Sequence, residues 1–165
     1  MKCKLCLQEK RLLNCSHIIS DFTYQDLYDE NHKINKIQDL SNPMKFIRVS
    51  SGEYDKGILC EECEQKIGKF ENYAAVILFG GNIAKKEMPR FISQVNPHGV
   101  EYISIQNIDY RKFKLFLLSL LWRASISKRD YFKHVRLGKY EDEIRKMIYY
   151  RKIWGRISTI DKQRM

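Results

Sequence analysis

Two cysteine pairs, Cys3-x-x-Cys6 and Cys60-x-x-Cys63, and one histidine within Ser16-His17-Ile18-Ile19 are the residues whose types and spacing point most directly to chemistry. A C-x-x-C pair sets two thiolates on one tight turn. Two such turns complete the tetrahedral Cys₄ shell that Zn²⁺ takes in structural sites. The expected ligands of a structural Zn²⁺ are therefore Cys3, Cys6, Cys60 and Cys63, forming a double knuckle that holds His17 in place. Residues 7–59 separate the pairs, more than a simple zinc ribbon needs, so a folded insert is expected between them. Two redox pairs, two disulfides or four small buried hydrophobes are the competing readings of the same cysteines. The cysteine count of five is odd, and the chain opens Met1-Lys2-Cys3 with no leader pattern. A reducing, cytoplasmic setting and a metal site are accordingly expected. The fifth cysteine, Cys15, reads as a buried thiol rather than another ligand.

The elements that must position these groups are legible in outline. Residues 11–19 are β-compatible and follow the first knuckle as one arm of a hairpin. Residues 20–57 read as a loop-rich insert broken by Ser41-Asn42-Pro43, with a short helix over 21–27 and a strand over 45–50. Beyond the second knuckle a helix is expected from Glu61 or Glu62, its acidic first turn suiting the helix dipole. Its apolar face would be Ile67, Phe70, Ala74, Ile77 and Leu78, and Gly80-Gly81 would end it. A hairpin is expected around Gly99 and the alternating 100–105 segment. Asp109 should cap a helix whose face is Phe113, Leu117, Leu120, Leu121 and Ala124. A last helix over 140–152 presents Ile144, Met147 and Ile148. The fold class is α+β, with a knuckle module over residues 1–80 and a mainly helical extension over 81–165 packed on it.

Charge divides along the chain. Residues 1–110 carry a formal −1 and residues 111–165 carry +11, so the net charge of +10 resides in the C-terminal third. That asymmetry fits a polyanion partner, nucleic acid above all, or a pair of solvated basic helices. The cationic candidates are Arg123, Lys128, Arg129, Lys133, Arg136, Arg145, Lys146, Arg151 and Lys152. Tyr149, Tyr150 and Trp154, among Arg151, Lys152 and Arg156, could stack on bases. Trp122 reads as core, His98 as part of a turn and His134 as part of a basic face. No apolar run is long enough to span a bilayer, and no membrane association is expected.

The order C-x-x-C, Ser16-His17-Ile18-Ile19, then Leu59-Cys60-Glu61-Glu62-Cys63-Glu64 at a helix start resembles the zinc-knuckle branch of the HNH endonuclease superfamily. Residues 1 to about 75 carry the likeness. Residues 109–149 are also similar to the tails of bacterial HNH-like proteins, a likeness with no chemical content. The resemblance implies a zinc-stabilised treble-clef (ββα-metal) module with a basic α-helical C-terminal extension. It also implies hydrolysis of a nucleic-acid phosphodiester, DNA ahead of RNA, with one divalent cation, Mg²⁺ or Mn²⁺, in the setting of bacterial defence or mobile elements. His17 matches the general base, since an imidazole of ordinary pKa, about 6.5, accepts a proton from water at neutral pH. Glu64 stands where the family has an asparagine or histidine metal ligand, and a carboxylate can hold either cation. Glu71, two turns further along the same helix, is a candidate assistant.

The chain departs from the pattern at Ser16, where the family has an acidic or histidine ligand, and at the middle asparagine, for which Asn31, Asn35 and Asn42 remain open. The alternative is a catalytically inactive, zinc-stabilised protein that binds nucleic acid or a partner protein. Each candidate also has a purely structural reading. His17 could be a packed histidine bonded to backbone, and Glu64 a first-turn carboxylate stabilised by the dipole.

Overall fold

Backbone hydrogen bonds build the first knuckle as a small closed turn. Cys3 N donates to Gln8 O and Leu7 N to Cys3 O, both at 2.9 Å, with Leu7 in the left-handed region at φ 62°. A computed structural model describes residues 1–37, 45–80 and 88–153 of the chain. Ser41-Asn42-Pro43, Gly81, Trp154 and Arg156 lie outside the described residues. Lys4 N donates to Ile58 O and Leu13 N to Leu59 O, each at 2.9 Å, fastening the first knuckle to the run that enters the second.

The strand β1 (Ser16–His17) pairs antiparallel with β4 (Tyr54–Asp55), Ser16 opposite Asp55 and His17 opposite Tyr54. The insert between them holds a 3₁₀ helix (Asp21–Leu27) and an antiparallel hairpin, β2 (Ile34–Ile37) with β3 (Phe46–Val49). Helix α1 (Glu61–Phe79) starts at the second knuckle with three acidic residues in its first turn and stops at Gly80, whose φ of 85° suits a residue without Cβ. A second hairpin, β5 (Arg90–Val95) with β6 (Glu101–Gln106), turns at 96–100, where the Asn96 side chain accepts from His98 N and Val100 N. Helix α2 (Tyr110–Ile126) is capped by Asp109, which accepts from Lys112 N at 3.1 Å. Helix α3 (Glu141–Tyr150) ends in a left-handed Arg151 at φ 55°. The molecule is thus mixed α+β. No helix among the described residues is long and apolar enough to cross a membrane.

The three helices pack on one another and share a single hydrophobic cluster. Leu5, Leu12, Ile18, Leu59, Ile67 and Phe70 contribute from the knuckle side, and Leu115, Phe116, Trp122, Ile144, Met147 and Ile148 from α2 and α3. The boundary near residue 80 is therefore a division of the chain and not of the core. Three expectations need correction. Leu78 is exposed, while the rest of its expected stripe is buried. On α2, Leu117 and Leu121 face solvent, and the inward positions are Leu115, Phe116, Ser119, Trp122 and Arg123. An apolar-only stripe misplaces that face because three of the helix's buried residues, Ser119, Arg123 and Ser125, are polar. Cys15 is exposed, not buried.

Candidate metal centre and the His17 site

The four cysteine Sγ atoms of the two knuckles lie within 4.8 Å of one another, three of the residues buried and Cys6 half-buried. A tetrahedron of Zn–S bonds of about 2.3 Å needs sulfurs roughly 3.8 Å apart. The Cys6–Cys60 pair, at 4.0 Å, is already close to that spacing. Cys60 N points at Cys3 Sγ at 3.4 Å, a donor suited to a thiolate. With thiols alone, hydrogen bonding from Cys63 draws the Cys3 pKa down to about 4, and the same contact pushes Cys63 up. Burial also pushes Cys60 up, so without an ion the cluster favours a single sulfur anion at Cys3, and a bound Zn²⁺ would have to displace the protons of the other thiols. Among the described residues, these cysteines are the only group of three or more such ligands that could share an ion.

His17 sits at the end of β1, half-buried and held on several sides. Its Nε2 is 2.9 Å from Ser51 Oγ and 3.7 Å from Asp21 Oδ1, while Tyr28 donates its hydroxyl to the same Asp21 oxygen at 2.6 Å. The Tyr54 ring meets the imidazole edge-on with centroids 6.3 Å apart. None of Asn31, Asn35 and Glu64 is the partner of this ring. Ser51, Asp21 and Tyr54 are its neighbours, and of these only Asp21 left a trace in the sequence, as an i,i+4 partner of His17.

Ser16 is fully buried on the adjacent position of β1, and Glu64 lies on the first turns of α1. Burial raises the Glu64 carboxyl above its ordinary pKa, and the nearby Ser16 hydroxyl and Arg123 charge offset this in part. Ser16 Oγ and Glu64 Oε2 are both buried and neither meets full hydrogen-bond geometry, yet the hydroxyl lies close enough to the carboxyl to lower its pKa as a hydrogen bond does, so the two oxygens form a loose pair with each other.

Arg123 belongs to the interior, not to a nucleic-acid surface. Its side chain is 0% exposed and reaches from α2 into the knuckle side of the molecule. Its guanidinium donates to His17 O at 2.6 Å, to Glu71 Oε1 at 2.6 Å and to Ser119 O at 3.3 Å. Ser20 Oγ donates to the same Glu71 oxygen at 2.5 Å. Glu71 is thereby committed to holding Arg123 and the segment after His17.

The other cations fall into separate groups. Lys128, Arg129, Lys133 and Arg136 share the segment 127–137, which touches β4. Arg129 Nε donates to Tyr54 O at 2.9 Å, and Lys128 N donates to Asp55 Oδ2 at 3.3 Å. Arg145 and Lys146 both pair with Asp142 at 2.8 Å, and Arg145 also donates to Leu5 O at 2.8 Å, tying α3 to the first knuckle. Arg151 and Lys152 are exposed past the end of α3. Tyr149 lies under Lys66 Nζ, 3.9 Å from its ring centroid. Compared with known proteins, the chain matches no family model, no curated protein and no solved structure.

Proposed function

We propose that the chain is a metal-dependent endonuclease of the HNH type, hydrolysing DNA phosphodiester bonds on a treble-clef scaffold closed by a structural Zn²⁺. One observation carries the reading. His17 is anchored at a strand end by Ser51 and Asp21, on the segment that joins the two cysteine pairs, while its strand neighbour Ser16 is buried on the opposite face near Glu64.

Hard divalent cations take oxygen ligands, so Glu64 is the carboxylate that would hold Mg²⁺ or Mn²⁺, with the substrate phosphate and water supplying most of the remaining ligands. Such an ion, when bound, neutralises charge on the scissile phosphate and leaving oxygen. The chain's own residues do the rest. In the tautomer whose Nε2–H is directed to Ser51 Oγ, the lone pair of His17 lies on Nδ1, which would take a proton from the attacking water. Ser51 and Asp21, both on the Nε2 side, orient the ring. Arg123, bonded to His17 O, keeps the strand end in place. Lys128, Arg129, Lys133 and Arg136 hold backbone phosphates through the segment beside β4.

The test is cleavage of supercoiled plasmid by zinc-loaded protein with Mg²⁺ or Mn²⁺, alongside His17→Ala. Nicking that disappears in a variant with unchanged fold and zinc content is expected; nicking that persists removes His17 from the mechanism. A second reading, a non-catalytic zinc protein that binds nucleic acid or a partner protein, draws on a specific observation. Among the described residues Glu64 belongs to no group of three or more histidines, cysteines or carboxylates that could share an ion. That reading expects salt-sensitive DNA binding with no effect of Mg²⁺.

A further inference from the structure

A cleft of about 510 Å³ opens beside His17, between the 3₁₀ helix, the β2–β3 hairpin and the segment 127–137. Its size lies within the 300–1,000 Å³ or so of small-ligand sites. Ile19, Tyr24, Leu27, Ile34, Val49 and Tyr131 supply apolar and aromatic walls, and Asn35, Ser51 and the Lys36–Glu53 ion pair supply polar edges. Ser51 is shared, because the hydroxyl that lines the cleft is the one bonded to His17 Nε2. Whatever enters the cleft therefore lies one hydroxyl away from the imidazole, on its Nε2 side.

The two tyrosines differ in a way that suits a flat guest. Tyr24 is half-buried and fixed, since its ring lies against the backbone of Gly52, where an added Cβ would come within 2.1 Å of Tyr24 Cε2. Tyr131 is 75% exposed at the mouth, stacked edge-on against buried Phe132 with centroids 5.0 Å apart. An exposed tyrosine over an apolar cleft is a stacking platform for a π-face. Charge agrees with this occupant. Tyr131 is carried by the segment that also bears Lys128, Arg129, Lys133 and Arg136 against one acid, Asp130. Arg129 is held 5.3 Å from the Tyr54 ring, which pairs across the sheet with His17. A phosphodiester gripped by this segment would present its attached base to the cleft and its backbone to His17.

We propose that this cleft takes one unstacked nucleobase, so that the preferred substrate is single-stranded or locally unpaired DNA beside the bond at His17. The proposal rests on the endonuclease reading and sharpens it, because a base inside an intact duplex cannot reach the cleft.

The test measures binding with the His17→Ala variant, which removes cleavage from the readout. A single-stranded thymidine 12-mer, the same backbone with abasic residues throughout, and a 12-base-pair duplex are compared at fixed salt. The thymidine strand should bind at least about tenfold more tightly than the abasic strand or the duplex. Tyr131→Ala, at a position exposed enough to leave the fold intact by circular dichroism, should bring it down by about five- to a hundredfold, the range for loss of one stacked base. Equal binding of thymidine and abasic strands, tighter binding of the duplex, or indifference to Tyr131→Ala would each overturn the proposal. So would absence of binding to all three. Plasmid cleavage that depends on His17 without any base preference overturns the cleft alone. Base-dependent binding by a wild-type protein that never cleaves sustains the cleft and sinks the endonuclease.

Discussion

Replacing Arg123 by methionine tests the interior of the molecule directly. The guanidinium is fully buried, and its loss strips donors from His17 O and Glu71 Oε1, each at 2.6 Å, leaving a largely buried carboxylate with only Ser20 Oγ as partner. Breaking a buried pair from one side costs about 3–5 kcal/mol because the remaining charge is uncompensated. For a chain of this length each kcal/mol lowers Tm by about 2–4 °C, so the loss amounts to roughly 6–20 °C. Urea denaturation followed by circular dichroism at constant zinc supplies the free energy. Arg123→Met with Glu71→Gln leaves no unpaired charge and should recover part of the loss. A single variant that falls by less than about 1 kcal/mol, as an exposed phosphate-binding arginine would, refutes the buried strut.

Two further outcomes follow from the geometry. Chelation of zinc, or Cys60→Ser, should collapse the whole cooperative transition, since structural zinc contributes on the order of 10 kcal/mol and both ends of the chain share one core; intact helix content after verified metal loss would refute this. The Tyr28 phenol is pushed up to about 12, first by burial and then by its hydrogen bond to Asp21. Its neutral form stabilises the fold fully below pH 10 and loses that contribution as pH rises towards 12. The stability gap between wild type and Tyr28→Phe should therefore narrow between pH 10 and 12, and a constant gap in urea titrations would contradict the assignment.

Much of the fold was legible because local rules and tertiary packing agree. Acidic residues after Cys60, the glycine at 80 and the Asp109 cap mark helix ends by chemistry that needs no distant partner. The face of α2 was not legible, because Ser119 and Arg123 occupy inward positions that only long-range partners justify. Arg123 looked like a surface cation for the same reason: its acceptors lie 52 and 106 residues away in the chain. The cysteine cluster could be read from spacing alone. The neighbours of His17 could not, since Ser51 reaches it across the insert and Tyr54 across the sheet.

The shared core has a consequence for inheritance. A ββα unit that travels between proteins as a cassette has to bring its own interior with it. Here Leu115, Phe116, Trp122 and Met147 complete the interior, and Arg123 fills the space behind His17. Residues 1–80 moved into another chain would arrive with an open flank and an unfilled socket at Glu71. A substitution at 71 would need an answering change at 123 to keep the buried pair balanced.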